Sequence, residues 1–300
     1  MKIALLNMMS DAALKATDKQ FTRLFSGAEL SCFTYPQIER SEEAAAYVNE
    51  NYKSEDEIKS WHPDAMVITG ANVSDPDLET QPFWDPLQST MDWSLKNTRS
   101  TLCSCLASHA VMQFRYHKKR RPLKQKIWGV YDHRVIMPEH PLAIDLTALV
   151  PVPQSRHNEV SAGQFQDAAL DVIMIHTHAR VHLAANRDNS LVLMQGHPEY
   201  DKVSLLKEYK REVGLFASGD RENFPPLPDN IMDDAGVELM FAHGKLVREA
   251  VSAGLKVPEF PESEVEKHLH ESWKPAAELV FKNWLELVRQ LPDHLGVRGE

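Results

Sequence analysis

Apolar positions along the chain follow two rhythms. Short β-branched or apolar runs, "KIALL" (2–6), "AMVITG" (65–70) and "STLCSC" (100–105), predict strands. Between and after them, "TDKQFTRLFSG" (17–27), "EEAAAYVNENYK" (42–53), "WDPLQSTMDWSLKNT" (84–98) and "ASHAVMQFRYHKK" (107–119) space their apolar residues as helices do. Thr17 reads as a helix cap and Gly27 as a stop. Further strands are expected at "KIWGVY" (126–131), "ALDVIMIHT" (169–177), "RVHLAAN" (180–186) and "SLVLMQG" (190–196). The last three are separated by short polar breaks, which predicts an antiparallel extension beside a parallel core. From about residue 202 the pattern is helical, in "VSLLKEYKREVGLFASG", "GVELMFAHGKLVREAVSAG" and "PAAELVFKNWLELVRQL". The proline-bearing "NFPPLPDN" and "KVPEFPESE" connect these stretches. The expectation is one domain, 1–300: an α/β core over 1–201, layered with helices on both faces, and a helical C-terminal annex over 202–300.

Composition narrows the function classes. A chain of 300 residues with 43% hydrophobic and 25% charged residues is ordinary for a soluble globular protein. Its net charge of −10 argues against general nucleic-acid binding, because phosphates would be repelled. No apolar run approaches a membrane span of roughly 18 residues, and "MKIALLNMM" is too short for a secretory signal. Cys32, Cys103 and Cys105 make no disulfide framework and no zinc spacing, so a reduced cytoplasm is the expected home.

The strand "LVLM" (191–194) ends on ionisable residues it has no structural need of. Gly196 lets the chain turn and Pro198 cannot continue a ladder, so His197 and Glu199 fall where strand becomes loop. That is the usual place for chemistry in an open α/β sheet. A histidine beside a carboxylate suggests two members of a catalytic triad, and "STLCSCLASHAV" (100–111) offers the third. Cys105 stands at a strand–turn–helix junction, where a helix N-terminus favours thiolate over thiol. The Leu106 backbone N–H would then face a developing oxyanion. Cys103 should lie within the strand as a packed hydrophobe. On these residues alone, catalysis by Cys105 and simple burial of both cysteines stand as equal alternatives.

The motifs "SCLASHA" (104–110), "KIWGVYDH" (126–133), "PQSRHNEV" (153–160), "GHPEYD" (196–201) and "SWKPAAELVFKNWL" (272–285) occur in the order seen in homoserine O-succinyltransferases. The chain resembles that family from "ALLNMM" to "NWLELV". The resemblance implies a flavodoxin-like, class I glutamine amidotransferase-like fold. It further implies Cys105 as acyl-thioester nucleophile, His197 as general base and Glu199 as its partner. Lys126 matches the donor-binding lysine, Arg211 the clamp for the amino-acid carboxylate, and Ser155, in a proline-bounded loop, a residue at the acceptor. Ser74, in "TGANVSDPD" (69–77), matches a position where a small residue accompanies succinyl-CoA and a glutamate accompanies acetyl-CoA. The partners implied are L-homoserine and acyl-CoA, with a coenzyme A thioester as co-substrate and no bound cofactor. Methionine biosynthesis, a cytoplasmic setting and a homodimer complete the implied picture. Leu106 replaces the family's usual tryptophan and His109 its usual glutamine. "NMMSDAALK" is two residues longer than the family's "NLMP" segment, and the helical stretch around 232–254 looks like an insertion.

Several groups have plainer readings. "HKKRRPLKQK" (117–126) is either a solvated turn after a helix or a landing strip for coenzyme A phosphates. Without the resemblance, Arg211 is an exposed helix cation. His176 and His178 share a strand face with His182 nearby, but no carboxylate or cysteine lies in that stretch, so no metal is expected. Trp273, Phe281 and Trp284 read as core aromatics. The functions left open beside succinyl transfer to homoserine are an acetyl-CoA-dependent transferase acting on homoserine or serine, a glutamine amidase, and a non-catalytic binding module.

Overall fold

The computed structural model describes residues 1–176 and 180–292. Among them, ten strands form one sheet: β1 (Lys2–Leu6), β2 (Glu29–Phe33), β3 (Tyr52–Lys53), β4 (Ala65–Ile68), β5 (Ser100–Ser104), β6 (Arg121–Val135), β7 (Leu149–Glu159), β8 (Asp171–His176), β9 (Arg180–Ala185) and β10 (Leu191–Met194). Their order is β3-β2-β1-β4-β5-β10-β9-β8-β6-β7. The first six neighbours run parallel, whereas β10–β9, β9–β8, β8–β6 and β6–β7 are antiparallel. The antiparallel extension is therefore present, and β10 joins it to the parallel half.

Helices α1 (Asp11–Leu24), α2 (Glu42–Asn51), α3 (Glu57–Trp61), α4 (Trp84–Asn97), α5 (Leu106–Tyr116) and α6 (Ala162–Asp167) fall between strands. Then follow α7 (Ser204–Ser218), α8 (Asp234–Ser252), α9 (Glu262–Val265) and α10 (Lys274–Gln290). The first helix begins earlier than its sequence suggests. Ser10 sits at the N-cap and Thr17 is buried within α1, so Thr17 is not a cap.

The continuous apolar runs of β1 and β4 follow from burial on both faces. Alternate residues point to opposite layers. Ala4, Leu6, Met66 and Ile68 meet Leu87, Met91, Ala107 and Val111 of α4 and α5. Ile3, Leu5, Ala65 and Val67 meet Phe21 of α1 with Phe281 and Trp284 of α10. Trp284 is fully buried and its Nε1 donates to Ser100 Oγ at 3.1 Å. Truncating it to alanine should cost about 3–5 kcal/mol. Helices α7 and α8 pack elsewhere: Leu206, Tyr209, Met240 and Val247 cluster with Trp128 and Val130 of β6, and Trp273 joins them. The C-terminal helices thus serve two cores.

Strand β7 corrects a sequence expectation. Ser155 and Arg156 lie within this strand, not in a loop. The prolines that suggested a loop, Pro151 and Pro153, are tolerated because β7 is the last strand of the sheet, where one row of N–H groups needs no partner. The carboxyl ends of β1, β4, β5 and β10 converge on one edge. There the loops at 7–10, 69–77 and 195–201 meet Cys105.

Candidate active site

Cys105 links β5 to α5 with φ 50° and ψ −112°, a backbone conformation that a non-glycine residue holds only under constraint. The constraint is visible. The Cys105 N–H donates to Met194 O at 2.7 Å, and Ser108 Oγ donates to Cys103 O at 2.7 Å and Met194 O at 2.8 Å. These bonds tie the turn to the end of β10. Leu106, next after the sulfur-bearing residue, is the first residue of α5, so its N–H has no carbonyl one turn earlier in the helix. Across the turn, Gly70 closes in: a Cβ added there would lie 3.1 Å from Cys105 Cβ and 3.5 Å from Leu106 N. Cys103 is fully buried inside β5 and burial pushes its thiol up.

Register brings the second half of the site to this turn. Met194 pairs with Ser104 across β10 and β5, so the residues after Met194 emerge beside Cys105. The His197 N–H donates to Pro153 O at 2.8 Å, and its ring stacks on Tyr200 with centroids 4.4 Å apart. His197 Nδ1 meets Glu199 Oε1 at 2.8 Å, which fixes Nδ1 as the donor and leaves Nε2 for the sulfur. Gly196 is required here, since a Cβ would stand 2.8 Å from Pro153 O and 2.5 Å from the Gln154 amide nitrogen. His197 and Glu199 are buried, and Cys105 is half-buried. Burial pushes the Cys105 thiol up, but the adjacent His197 cation, the hydrogen bond to it, and Arg156 together bring it below its ordinary value. Burial likewise disfavours charge on His197, yet Cys105 and Glu199 outweigh it and hold the imidazole well above its usual range. The pair is poised as thiolate and imidazolium.

A cavity of about 210 Å³ opens in front of these residues. Lys126, Ser155 and Arg211 line it together with Cys105 and His197, so the sequence-selected residues gather in one place. Glu199 stands behind His197 and does not line it. Arg211 lies on α7 with an exposed guanidinium, 3.6 Å from Glu212. Residues Glu208, Arg211, Glu212 and Leu215 all face the cavity, at the spacing of one helix face.

Sequence reasoning missed the centre of this wall, Glu208. It is nearly buried and accepts from Ser155 Oγ at 2.6 Å, Trp128 Nε1 at 3.0 Å, Lys126 Nζ at 3.3 Å and Tyr200 OH at 2.8 Å. Burial pushes its carboxyl up, but Lys126 and the hydroxyls of Ser155 and Tyr200 bring it below its ordinary value. Lys126 also sits 3.8 Å from the Trp128 ring centroid. The one signal available in sequence was the i, i+3 spacing of Glu208 and Arg211.

Ser74 does not line this cavity. It lines a smaller cavity with Cys105, Leu106, Arg120, Arg156 and Asn158, and its carbonyl accepts from Asn158 Nδ2 at 2.9 Å. The basic run before Lys126 fits neither of its sequence readings as a whole. Arg120 is 5% exposed and its guanidinium holds the carbonyls of Val73, Asp75 and Pro76. Lys118 and Lys119 pair with Asp167 and Glu79 on the surface, and Arg121 already belongs to β6. Near the N-terminus, Met9, Ser10 and Ala13 border the larger cavity, while Lys15 points to Glu43 at 2.8 Å.

Of the three histidines weighed as metal ligands, two are described. His182 is buried, its Nδ1 accepts from the Gly196 N–H at 3.2 Å, and burial holds it neutral. His176 packs against His133, and His178 lies outside the described residues. Among the described residues no group of three or more His, Cys, Asp or Glu could hold a metal ion.

Known proteins resemble this chain at both levels. A glutamine amidotransferase from Thermotoga maritima is 11% identical with a TM-score of 0.50, over 97% of this chain and 98% of that one. Another from Methylobacillus flagellatus is 11% identical with a TM-score of 0.53, over 98% and 95%. At such low identity these share the fold, which is of the class I glutamine amidotransferase type. Sequence relatives are far nearer. The homoserine O-succinyltransferase of Allochromatium vinosum is 48% identical over 97% of this chain and 84% of its own length. That of Thioalkalivibrio nitratireducens is 44% identical over 97% and 84%. The family model for homoserine O-succinyltransferase matches residues 1–293. The chain therefore belongs to the homoserine O-succinyltransferase family.

Proposed function

We infer that this protein transfers a succinyl group from succinyl-CoA to the hydroxyl of L-homoserine through a thioester on Cys105. The observation that carries the reading is the strained Cys105 turn facing a buried His197–Glu199 pair, in a cavity that also holds Arg211. In the first half-reaction the Cys105 thiolate attacks the thioester carbonyl and the oxyanion takes the Leu106 N–H. The carbonyl re-forms, coenzyme A leaves as a thiolate, and His197 Nε2 supplies its proton. In the second, His197, now neutral and held by Glu199, removes the proton of the homoserine hydroxyl as that oxygen attacks the acyl-enzyme. Collapse expels Cys105 as thiolate and restores the imidazolium. Arg211 offers a guanidinium fork to the acceptor carboxylate, and Ser155 and Lys126 hold Glu208 in the same wall. The product is a homoserine with an activated hydroxyl, suited to methionine synthesis.

Ser74 supports succinyl as the donor, because a hydroxymethyl there adds neither bulk nor charge beside Cys105. A cytoplasmic homodimer belongs to the same reading; among the described residues no helix is long and apolar enough to cross a membrane. The test is intact-mass measurement after mixing the protein separately with succinyl-CoA, acetyl-CoA and glutamine. A succinyl adduct discharged by L-homoserine is expected. A preferential acetyl adduct would replace the donor, and a glutamyl adduct with release of ammonia would replace the reaction.

A further inference from the structure

The mechanism leaves the centre of the side-chain wall without a task. Glu208 lines the cavity in front of Cys105, and its side chain keeps 16% of its surface exposed. The residues that bond its two oxygens line the same cavity: Ser155 and Lys126 at Oε2, and Tyr200 at Oε1. The carboxylate therefore belongs to the cavity wall and is not sealed behind it.

Its hydrogen bonds are shared unequally. Oε2 accepts from three donors, Ser155 Oγ, Trp128 Nε1 and Lys126 Nζ, whereas Oε1 accepts from the Tyr200 hydroxyl alone, at 2.8 Å. An ionised carboxylate offers about four acceptor positions over its two oxygens, so Oε1 has room for one more donor. Burial pushes the carboxyl up, but Lys126, Ser155 and Tyr200 bring it below its ordinary value, and it is an anion at neutral pH.

The helix places this anion beside a cation. Glu208 and Arg211 are three residues apart on α7 and line one cavity. At that spacing side chains are neighbours, with Cβ atoms roughly 5–6 Å apart. An α-amino acid carries its ammonium and its carboxylate on a single carbon, so such a pair can hold both. Among the described residues one other carboxylate lines the cavity, that of Glu212. It is already shared by two guanidiniums, Arg221 at 2.6 Å and Arg211 at 3.6 Å. Glu208 has a single cation beside it, Lys126 at 3.3 Å.

Resting on the transfer to homoserine inferred above, we propose that Glu208 is the specificity residue for the acceptor's amino group, its Oε1 binding the α-ammonium while Arg211 holds the α-carboxylate. The pair selects a zwitterion. A hydroxy acid of the same length brings no cation to Oε1 and loses the charge-assisted bond.

The test discharges the preformed acyl-enzyme with L-homoserine or with (S)-2,4-dihydroxybutanoate, in which a hydroxyl replaces the ammonium. Wild type should prefer homoserine about 10- to 150-fold in kcat/KM, as expected for a charge-assisted bond. Glu208→Gln should collapse that ratio toward one, and Glu208→Asp should restore part of it. A wild type that does not distinguish the two acceptors overturns the proposal without needing any variant to fold. Equal slowing of both acceptors in Glu208→Gln also overturns it, since a residue that merely supports the wall would do that. A ratio that collapses in Glu212→Gln and not in Glu208→Gln gives the ammonium to the other carboxylate and overturns it as well. If L-homoserine does not discharge the acyl-enzyme at all, the acceptor reading itself has failed, and the role of Glu208 goes with it.

Discussion

The two walls of the cavity are built in different ways. The wall from β5 and β10 carries Cys105 and His197, and its geometry is set by backbone: a positive φ at Cys105, a parallel register, and glycines at 70 and 196 that admit close approach. The wall from β6, β7 and α7 carries Lys126, Ser155 and Arg211, and its geometry is set by side chains converging on Glu208. The difference separates chemistry from recognition. A nucleophile and base must meet within hydrogen-bond reach whatever the substrate, so rigid main chain positions them. A substrate wall can be retuned residue by residue.

That division predicts which half-reaction each substitution disturbs. The largest effect belongs to the backbone-built wall. His197→Ala should slow acyl-enzyme formation by about 10²–10⁴-fold, the usual reach of general acid–base catalysis. The same variant should raise the pH midpoint for alkylation of Cys105 by iodoacetamide. In the native protein the imidazolium opposes the effect of burial and holds the thiol below its ordinary value. Without it, burial and the Glu199 carboxylate outweigh Arg156, and the thiolate forms only at higher pH. An unchanged alkylation profile would mean that His197 does not face the sulfur.

Next comes the side-chain wall. Arg211→Ala removes a charge-assisted bond worth on the order of 1.5–3 kcal/mol. The apparent KM for homoserine should rise roughly 10- to 150-fold while acylation stays nearly intact, as separate half-reaction kinetics would show. Loss of acylation instead would place Arg211 on the donor side and erase the contrast between the walls.

The smallest expected effect is at the loop beside Cys105. Ser74→Glu should shift the ratio of kcat/KM values toward acetyl-CoA by on the order of tenfold, about 1.4 kcal/mol. The added carboxylate would fill the space and repel that of succinate. Competition between the two donors in one vessel reads the ratio directly, and an unmoved ratio would remove Ser74 from donor choice.

The same contrast explains what could be read from sequence. The Cys105 junction and the His197–Glu199 pair announce themselves because main-chain constraint leaves local marks: a strand ending on Gly196 and Pro198, a cysteine between strand and helix. The parallel core was legible in part for a similar reason: β4 and β10, buried on both faces, are unbroken apolar runs, whereas β2, with Glu29 and Ser31, leaves no such run. Ser155 and Arg156 were misplaced into a loop because prolines normally exclude a strand, and only the sheet order shows that β7 is an edge. Glu208 left almost no mark. Its partners Lys126 and Ser155 lie 82 and 53 residues away, and alone it reads as one more acidic residue on a helix. Arg120 was read with its basic neighbours because sequence does not show that the 73–76 carbonyls turn toward it. The early start of α1 was hidden because Thr17 offered a capping residue nearer the apolar Phe21 and Leu24 than Ser10 did.

The covalent step on Cys105 is the claim on which the rest depends, and peptide mapping of the acyl-enzyme addresses it most directly. After brief exposure to succinyl-CoA and acid quench, the succinyl group should be found on the peptide carrying Cys105. It should persist in Cys103→Ala and vanish in Cys105→Ala. A thioester that survives in Cys105→Ala, or a product formed by that variant at the wild-type rate, would contradict a Cys105 acyl-enzyme.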